Sequence, residues 1–257
     1  MSLDEFFTGP FWMILVVLGF STAIVVIVIA LLAAGRRARE ALLAAAGQRG
    51  WEASHDRAGR RTITAFRATD RDGHPWLMEA VTVSSRSSRS SGSSYTRWLS
   101  DAVRLEEGVL LVGPHMGSLP PRIDVDQPLV RMAISLILRM MIPDAAPEDV
   151  QAFDEVTALQ AGSELLRERY AVLGQDESAA KRLLTSDVES ALLDYAMQVR
   201  RDQLPQIVFW PRGLHIRVSP LFTKIEEFER LARLGETLLE AISEEEDSIW
   251  DDEPRES

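Results

Sequence analysis

Hydrophobic and polar positions divide this chain into stretches of different period. From Phe11 to Ala34 no residue is charged, and only Gly19, Ser21 and Thr22 interrupt the apolar run. At 1.5 Å per residue these roughly 24 residues reach about 36 Å, enough to cross a bilayer's hydrocarbon core with some tilt. A helix satisfies its own backbone along such a run. Residues 36–50, RRAREALLAAAGQRG, continue in helix-favouring Ala and Leu, with Gly47 or Gly50 to end the helix.

From Trp51 the period shortens toward two. Arg61–Thr69 alternates, with Ile63, Ala65 and Phe66 available to face a core. Asp70-Arg-Asp-Gly73 reads as a turn and Pro75–Val83 as extended chain, so 61–83 predicts a β-hairpin. Residues 84–94, SSRSSRSSGSS, bury too little apolar surface to offset ordering and read as a loop. Tyr95–Leu99 and Val109–Gly113 are the next strands, with Glu106-Glu107-Gly108 turning between them and Arg122–Asp126 adding a short one. This spacing predicts a meander of four or five antiparallel strands.

Residues 128–142, PLVRMAISLILRMMI, are too few to span a bilayer. On a helix Arg131 and Arg139 project about 80° apart, while Val130, Ala133, Ile137 and Met140 point the other way. Three readings stay open: a core helix, an interfacial helix with snorkelling arginines, or a partner-binding surface that uses adaptable methionines. The candidate contact residues are Met132, Ile134, Leu136, Ile137, Met140 and Met141.

Asp144–Asp149 reads as a turn and acidic helix start, followed by Phe153, Val156 and Leu159. Ser178–Leu184 predicts a short helix. Ser186-Asp-Val-Glu189 is a capping box ahead of Leu192, Leu193, Ala196 and Val199. Gln206–Trp210 and Leu214–Val218 flank Pro211-Arg-Gly213 as a second hairpin, with Leu214, Ile216 and Val218 on one face and His215 and Arg217 on the other. Thr223-Lys-Ile-Glu226 is another capping box. It opens the clearest amphipathic helix, striped by Ile225, Phe228, Leu231, Leu234, Leu238 and Ile242. Residues 244–257, EEEDSIWDDEPRES, form an acidic tail that reads as disordered or as docking a basic partner through Trp250.

Charge adds orientation to this pattern. Residues 1–9 carry Asp4 and Glu5 and no basic side chain, unlike the start of a secretory signal, so the apolar run reads as an uncleaved anchor. Arg36, Arg37 and Arg39 follow the run, which puts the C-terminal side in the cytoplasm. The net charge of −11 is uneven: residues 36–104 hold 13 arginines against 7 carboxylates, and residues 105–257 hold 15 basic residues against 30 acidic ones. Anionic lipid attracts the first part and repels the second, and the acidic distal part argues against nucleic acid.

Candidate chemistry is sparse. The absence of Cys excludes thiol catalysis, disulfides and Cys-based metal sites. His55, His74, His115 and His215 include no i, i+4 pair, and no HExxH, GxSxG, phosphate loop or GxGxxG occurs. Glu106/Glu107 and Asp124/Asp126 lie in or near turns, without the oxygen-rich loop that calcium requires.

The part from about residue 50 to 242 resembles a bacterial family of single-pass membrane proteins whose cytoplasmic domain has no assigned activity. The likeness rests on Gly50-Trp51, Tyr95-Thr-Arg97, Arg169-Tyr-Ala-Val-Leu-Gly174 with Ala179 and Leu183-Leu184, and Arg212-Gly-Leu-His-Ile-Arg217 before a last helix. The run 129–142 falls outside that pattern. The resemblance implies a fold and an address.

These readings combine into an α+β expectation: one transmembrane helix, then an antiparallel sheet packed with helices. The expected parts are a short extracytoplasmic terminus (1–10), the membrane helix (11–34), a basic stalk (35–50), a cytoplasmic domain (51–243) and the acidic tail (244–257). Gly19 and Ser21 offer small side chains for helix packing in the plane of the inner (plasma) membrane. The expected role is a non-catalytic accessory or scaffold subunit that uses no cofactor and no metal. Its expected partners are membrane lipid and an integral membrane protein complex, not nucleic acid. The alternatives are a membrane-tethered sensor or regulator of a small ligand or lipid head group, and an enzyme without a recognisable motif.

Overall fold

A computed structural model describes residues 10–84, 93–105, 108–114, 156–219 and 221–250. The chain divides into two compact units, Met1–Arg49 and Gly50–Ser257.

The first unit is helix α1, Pro10–Gln48, unbroken over 39 residues. Within it the Thr22 hydroxyl donates to the Leu18 carbonyl at 2.8 Å, so this polar group is satisfied by the helix itself. Just past its end the Arg49 side chain donates to the Ala45 carbonyl at 2.8 Å, a cation on carbonyls that have no helical partner. Gly50 then turns the chain with φ +77°, a left-handed conformation that glycine adopts without a Cβ penalty.

The second unit is α+β. Its strands are β1 (Glu52–Ala58), β2 (Arg61–Thr69), β3 (Pro75–Val83), β4 (Ser93–Ser100), β5 (Leu110–Pro114), β6 (Thr157–Ala158), β7 (Tyr170–Gly174), β8 (Gln206–Trp210) and β9 (Gly213–Val218). They form one sheet in the order β1-β2-β3-β4-β9-β8-β5-β7-β6, with antiparallel neighbours throughout. The helices are α2 (Glu164–Arg169), α3 (Glu177–Leu183), α4 (Ser186–Gln198) and α5 (Ile225–Trp250), with a 3₁₀ turn at Arg201–Gln203.

The register explains the core. Phe66, Met78, Trp98, Ile216, Ile207, Val112 and Val172 are successive cross-strand partners, one row across seven strands. All are buried, six of them completely. Burying side chains of this size stabilises by about 1.5–3 kcal/mol each. Helix α5 packs on this row: Phe228 meets Phe66 edge-on with centroids 4.9 Å apart, and its stripe residues Leu231, Leu234, Leu238 and Ile242 are buried. Helix α4 is tied to the same face, because the buried Tyr170 hydroxyl donates to the Leu192 carbonyl at 3.2 Å. The opposite face is buried at its centre too, at Val81, Tyr95, Arg97, Val208 and Trp210. That is why β4 and β8 do not alternate in polarity along their length.

Both predicted hairpins, 61–83 and 206–218, form as β2–β3 and β8–β9. Leu214, Ile216 and Val218 fall on the buried face as expected. Four expectations need correction. The meander stops at β4, whose next neighbour is β9, and β5 enters the sheet beside β8. Edge strand β1 and strand β7 join the sheet without any expected pairing, and Thr157–Ala158 pairs with β7 where a helix was expected to continue. Both capping boxes are displaced by one residue, the α4 cap to an earlier position and the α5 carboxylate to a later one. Thr185 caps α4 by accepting from the Val188 amide at 3.3 Å, while Glu189 accepts from the Ser163 amide at 2.9 Å. At α5 it is Glu227 that accepts from the Thr223 and Lys224 amides, at 3.0 and 3.1 Å. Finally, Ser93–Ser94 belong to β4 rather than to a loop, and the α5 backbone runs through the start of the acidic tail to Trp250. The expected segments 85–92, 106–107, 122–126, 128–142, 144–149 and 251–257 lie outside the described residues.

Candidate functional site

Helix α1 is long and apolar enough to cross a membrane, by length and composition. Among its described side chains Val17, Leu18, Phe20 and the run Ile24–Ile29 are 47–69% exposed. An uncharged apolar surface of this kind is unfavourable in water. Ser21 and the arginines Arg36, Arg37 and Arg39 are exposed on the same helix, which also includes Gly19. The candidate contacts Met132, Ile134, Leu136, Ile137, Met140 and Met141 lie outside the described residues.

In the second unit a groove of about 490 Å³ opens between α4 and α5. Tyr195 and Leu234 form part of its lining. Asp187 and Asp194 come from α4, and Glu226, Glu229, Arg230 and Arg233 from α5. A second cavity of about 310 Å³ lies farther along α5, against the β2–β3 turn. It is lined by Asp70, Asp72, Glu236, Glu240, Arg71 and Arg233, and it shares Arg233 and Thr237 with the first. Together they make one acidic furrow along α5.

Two polar groups in the furrow are perturbed. Burial pushes the Glu236 carboxyl above its ordinary range; the Trp76 indole N–H, donating to it at 3.1 Å, opposes this, and the Asp70 charge adds to it. Burial also drives the Tyr195 hydroxyl far above its ordinary value, and that oxygen has no hydrogen-bond partner. The sequence held a signal for the furrow, because Asp187 and Asp194 share a face of α4 while Glu226, Glu229, Glu236 and Glu240 recur along α5. Reading only the apolar stripe missed it.

Asp70, Asp72 and His74 bring possible ligand atoms within 4.8 Å of one another. Their geometry is that of a closed turn. Asp70 Oδ1 accepts from the amides of Asp72 and His74 at 3.0 and 2.7 Å, and Oδ2 lies 2.9 Å from His74 Nδ1. One carboxylate thus holds the loop between β2 and β3.

On the opposite sheet face Glu79, Arg97, Arg217 and Gln206 are successive cross-strand partners. Arg97 Nε donates to Glu79 at 2.6 Å, and both side chains are nearly buried. The Arg217 guanidinium lies 4.1 Å from the Tyr95 ring centroid. Burial and the neighbouring Arg97 lower its affinity for the proton. Glu79 neutralises Arg97 in this row, while the Arg217 Nε and one terminal nitrogen are buried with no hydrogen-bond partner among the described residues. His55 Nδ1 meets the Thr64 hydroxyl at 3.0 Å across β1 and β2, which ties the edge strand to the sheet. His215 packs edge-on against Trp210 at 5.2 Å. No protein-family model, curated protein or solved structure matches the chain.

Proposed function

We propose that this chain is a membrane-anchored, non-catalytic accessory or scaffold subunit that binds an integral membrane protein complex from its cytoplasmic side. One observation carries the reading: a helix with an exposed, uncharged apolar run, joined to a separately packed α+β unit. A bilayer removes that surface from water, and the polar second unit stays outside. The arginines at 36, 37 and 39, against none among residues 1–9, set the second unit in the cytoplasm of a plasma membrane. Gly19 and Ser21 lower the bulk of one part of α1 and favour lateral packing on a partner helix.

Extraction in mild detergent tests the association. The chain should migrate above its own 28.7 kDa with a co-purifying membrane protein. A monodisperse monomer alone in the micelle would refute the subunit role. Orientation is testable in the same preparation because the chain lacks Cys. A single Cys at Ser2 should react with an impermeant maleimide on intact cells, and one at exposed Asp101 should not; the reverse pattern inverts the topology.

A further inference from the structure

We infer that the furrow along α5 is a docking site for a Lys/Arg-rich cytoplasmic segment of that membrane partner. The partner's location rests on the proposed function, whereas the chemistry rests on the furrow. Its two cavities are lined by eight carboxylates and three guanidinium groups. Asp194, Glu226 and Glu240 carry neither hydrogen bond nor ion pair among the described residues. The side-chain hydroxyl of Tyr195, a furrow-lining residue only 3% exposed, is buried without a partner. An unsatisfied hydroxyl beside unpaired carboxylates is the complement of a peptide that brings N–H donors and positive charge.

The spread of the charges selects the ligand. Glu226 and Glu240 lie about 21 Å apart along a helix with a 1.5 Å rise. A small cation needs its oxygens converging to about 2.3–2.6 Å, which a line of carboxylates does not provide. An extended chain of six or seven residues covers the same length. Arg230 and Arg233 interrupt the acidic line and set the register, since they repel a cation placed opposite them. Cytoplasmic loops of membrane proteins carry an excess of Lys and Arg, so a partner in the same membrane presents this chemistry on the correct side.

The test uses the full chain in nanodiscs of neutral lipid and a fluorescent peptide alternating Arg and Ala. Binding should weaken with salt. It should fall about tenfold in the triple variant D194N/E226Q/E240Q, the equivalent of three exposed pairs at roughly half a kcal/mol each. The control E52Q/D56N/D101N removes the same charge outside the furrow and should bind as the unaltered chain does. Tyr195→Phe should weaken binding without lowering the melting temperature. Equal loss in the control, or binding indifferent to the triple change, overturns the site. Membrane fractionation is read separately: an anchored chain that ignores the peptide refutes the furrow alone, and an unanchored chain that binds it refutes the anchor alone.

Discussion

A methyl group at Gly235 measures how closely α5 sits on the sheet. Helix propensity favours the change, since Ala stabilises a helix interior by about 1 kcal/mol relative to Gly. The structure opposes it. A Cβ at Gly235 would lie 2.3–2.6 Å from three atoms of the Trp98 indole, where carbon atoms prefer about 3.5–4.0 Å. Trp98 cannot swing aside: it is completely buried, stands between Met78 and Ile216 in the register, and packs on Trp76 with centroids 6.2 Å apart. Helix or ring must therefore move by more than about 1 Å, which loosens Phe228, Leu231 and Leu238 as well. Overpacking costs about 1–3 kcal/mol, and a rigid fully buried neighbour places this case near the top of that range. The balance is a loss of about 2 kcal/mol, or roughly 4–8 °C in Tm for a domain of this size. Thermal melting of the full chain in detergent, followed by near-UV circular dichroism, reads it directly. Trp98→Phe together with Gly235→Ala should lose less than the two single losses summed, by about 1 kcal/mol in a double-mutant cycle. A higher Tm for Gly235→Ala would refute the close approach of α5 to β4.

Three further outcomes follow from the geometry. Thr185→Ala should cost about 1 kcal/mol and Ser186→Ala much less, because Thr185 caps α4; equal losses in urea titration would return the cap to Ser186. Glu79→Gln should cost about 3–5 kcal/mol by removing the buried carboxylate to which Arg97 Nε donates, whereas Glu79→Leu with Arg97→Met should lie close to the unaltered protein; a denaturation midpoint that falls further in the double variant would contradict this. Glu236 has its carboxyl pKa raised in the fold, so the native state holds that proton more tightly than the unfolded chain does. Stability contributed there is present at low pH and lost as pH rises from the ordinary carboxylate value through the raised one. Glu236→Gln should therefore flatten this part of the stability profile and stabilise the protein at neutral pH; a steeper profile in the variant would show the opposite shift.

Much of the local structure was legible in the chain. Alternation at 61–69 and 214–218, with the turns at Asp70–Gly73 and Pro211–Gly213, gave both hairpins, because side chains on a strand change face at every residue. The stripe from Phe228 to Ile242 gave α5, because a helix repeats its face every 3.6 residues. The helix starts were misplaced by one residue at Thr185 and at Glu227. At α4 the hydroxyl preceding Ser186 takes the cap, and at α5 the second of two adjacent glutamates accepts from the Thr223 and Lys224 amides. The furrow was not legible as a site, since its carboxylates come from α4, α5 and the β2–β3 turn.

The sequence by itself determined the long uncharged helix, its basic flank, the hairpins and the amphipathic α5. Each of these depends on neighbours a few residues apart, and period and charge report such relations directly. Only the tertiary structure decided that β4 pairs with β9, that β7 stands beside β5, that Arg97 is buried against Glu79, and that one face of α5 meets Trp98 while another opens onto an acidic furrow. Backbone hydrogen bonds are the same between any two strands, so pairing across more than a hundred residues is settled by which side chains fill the shared core.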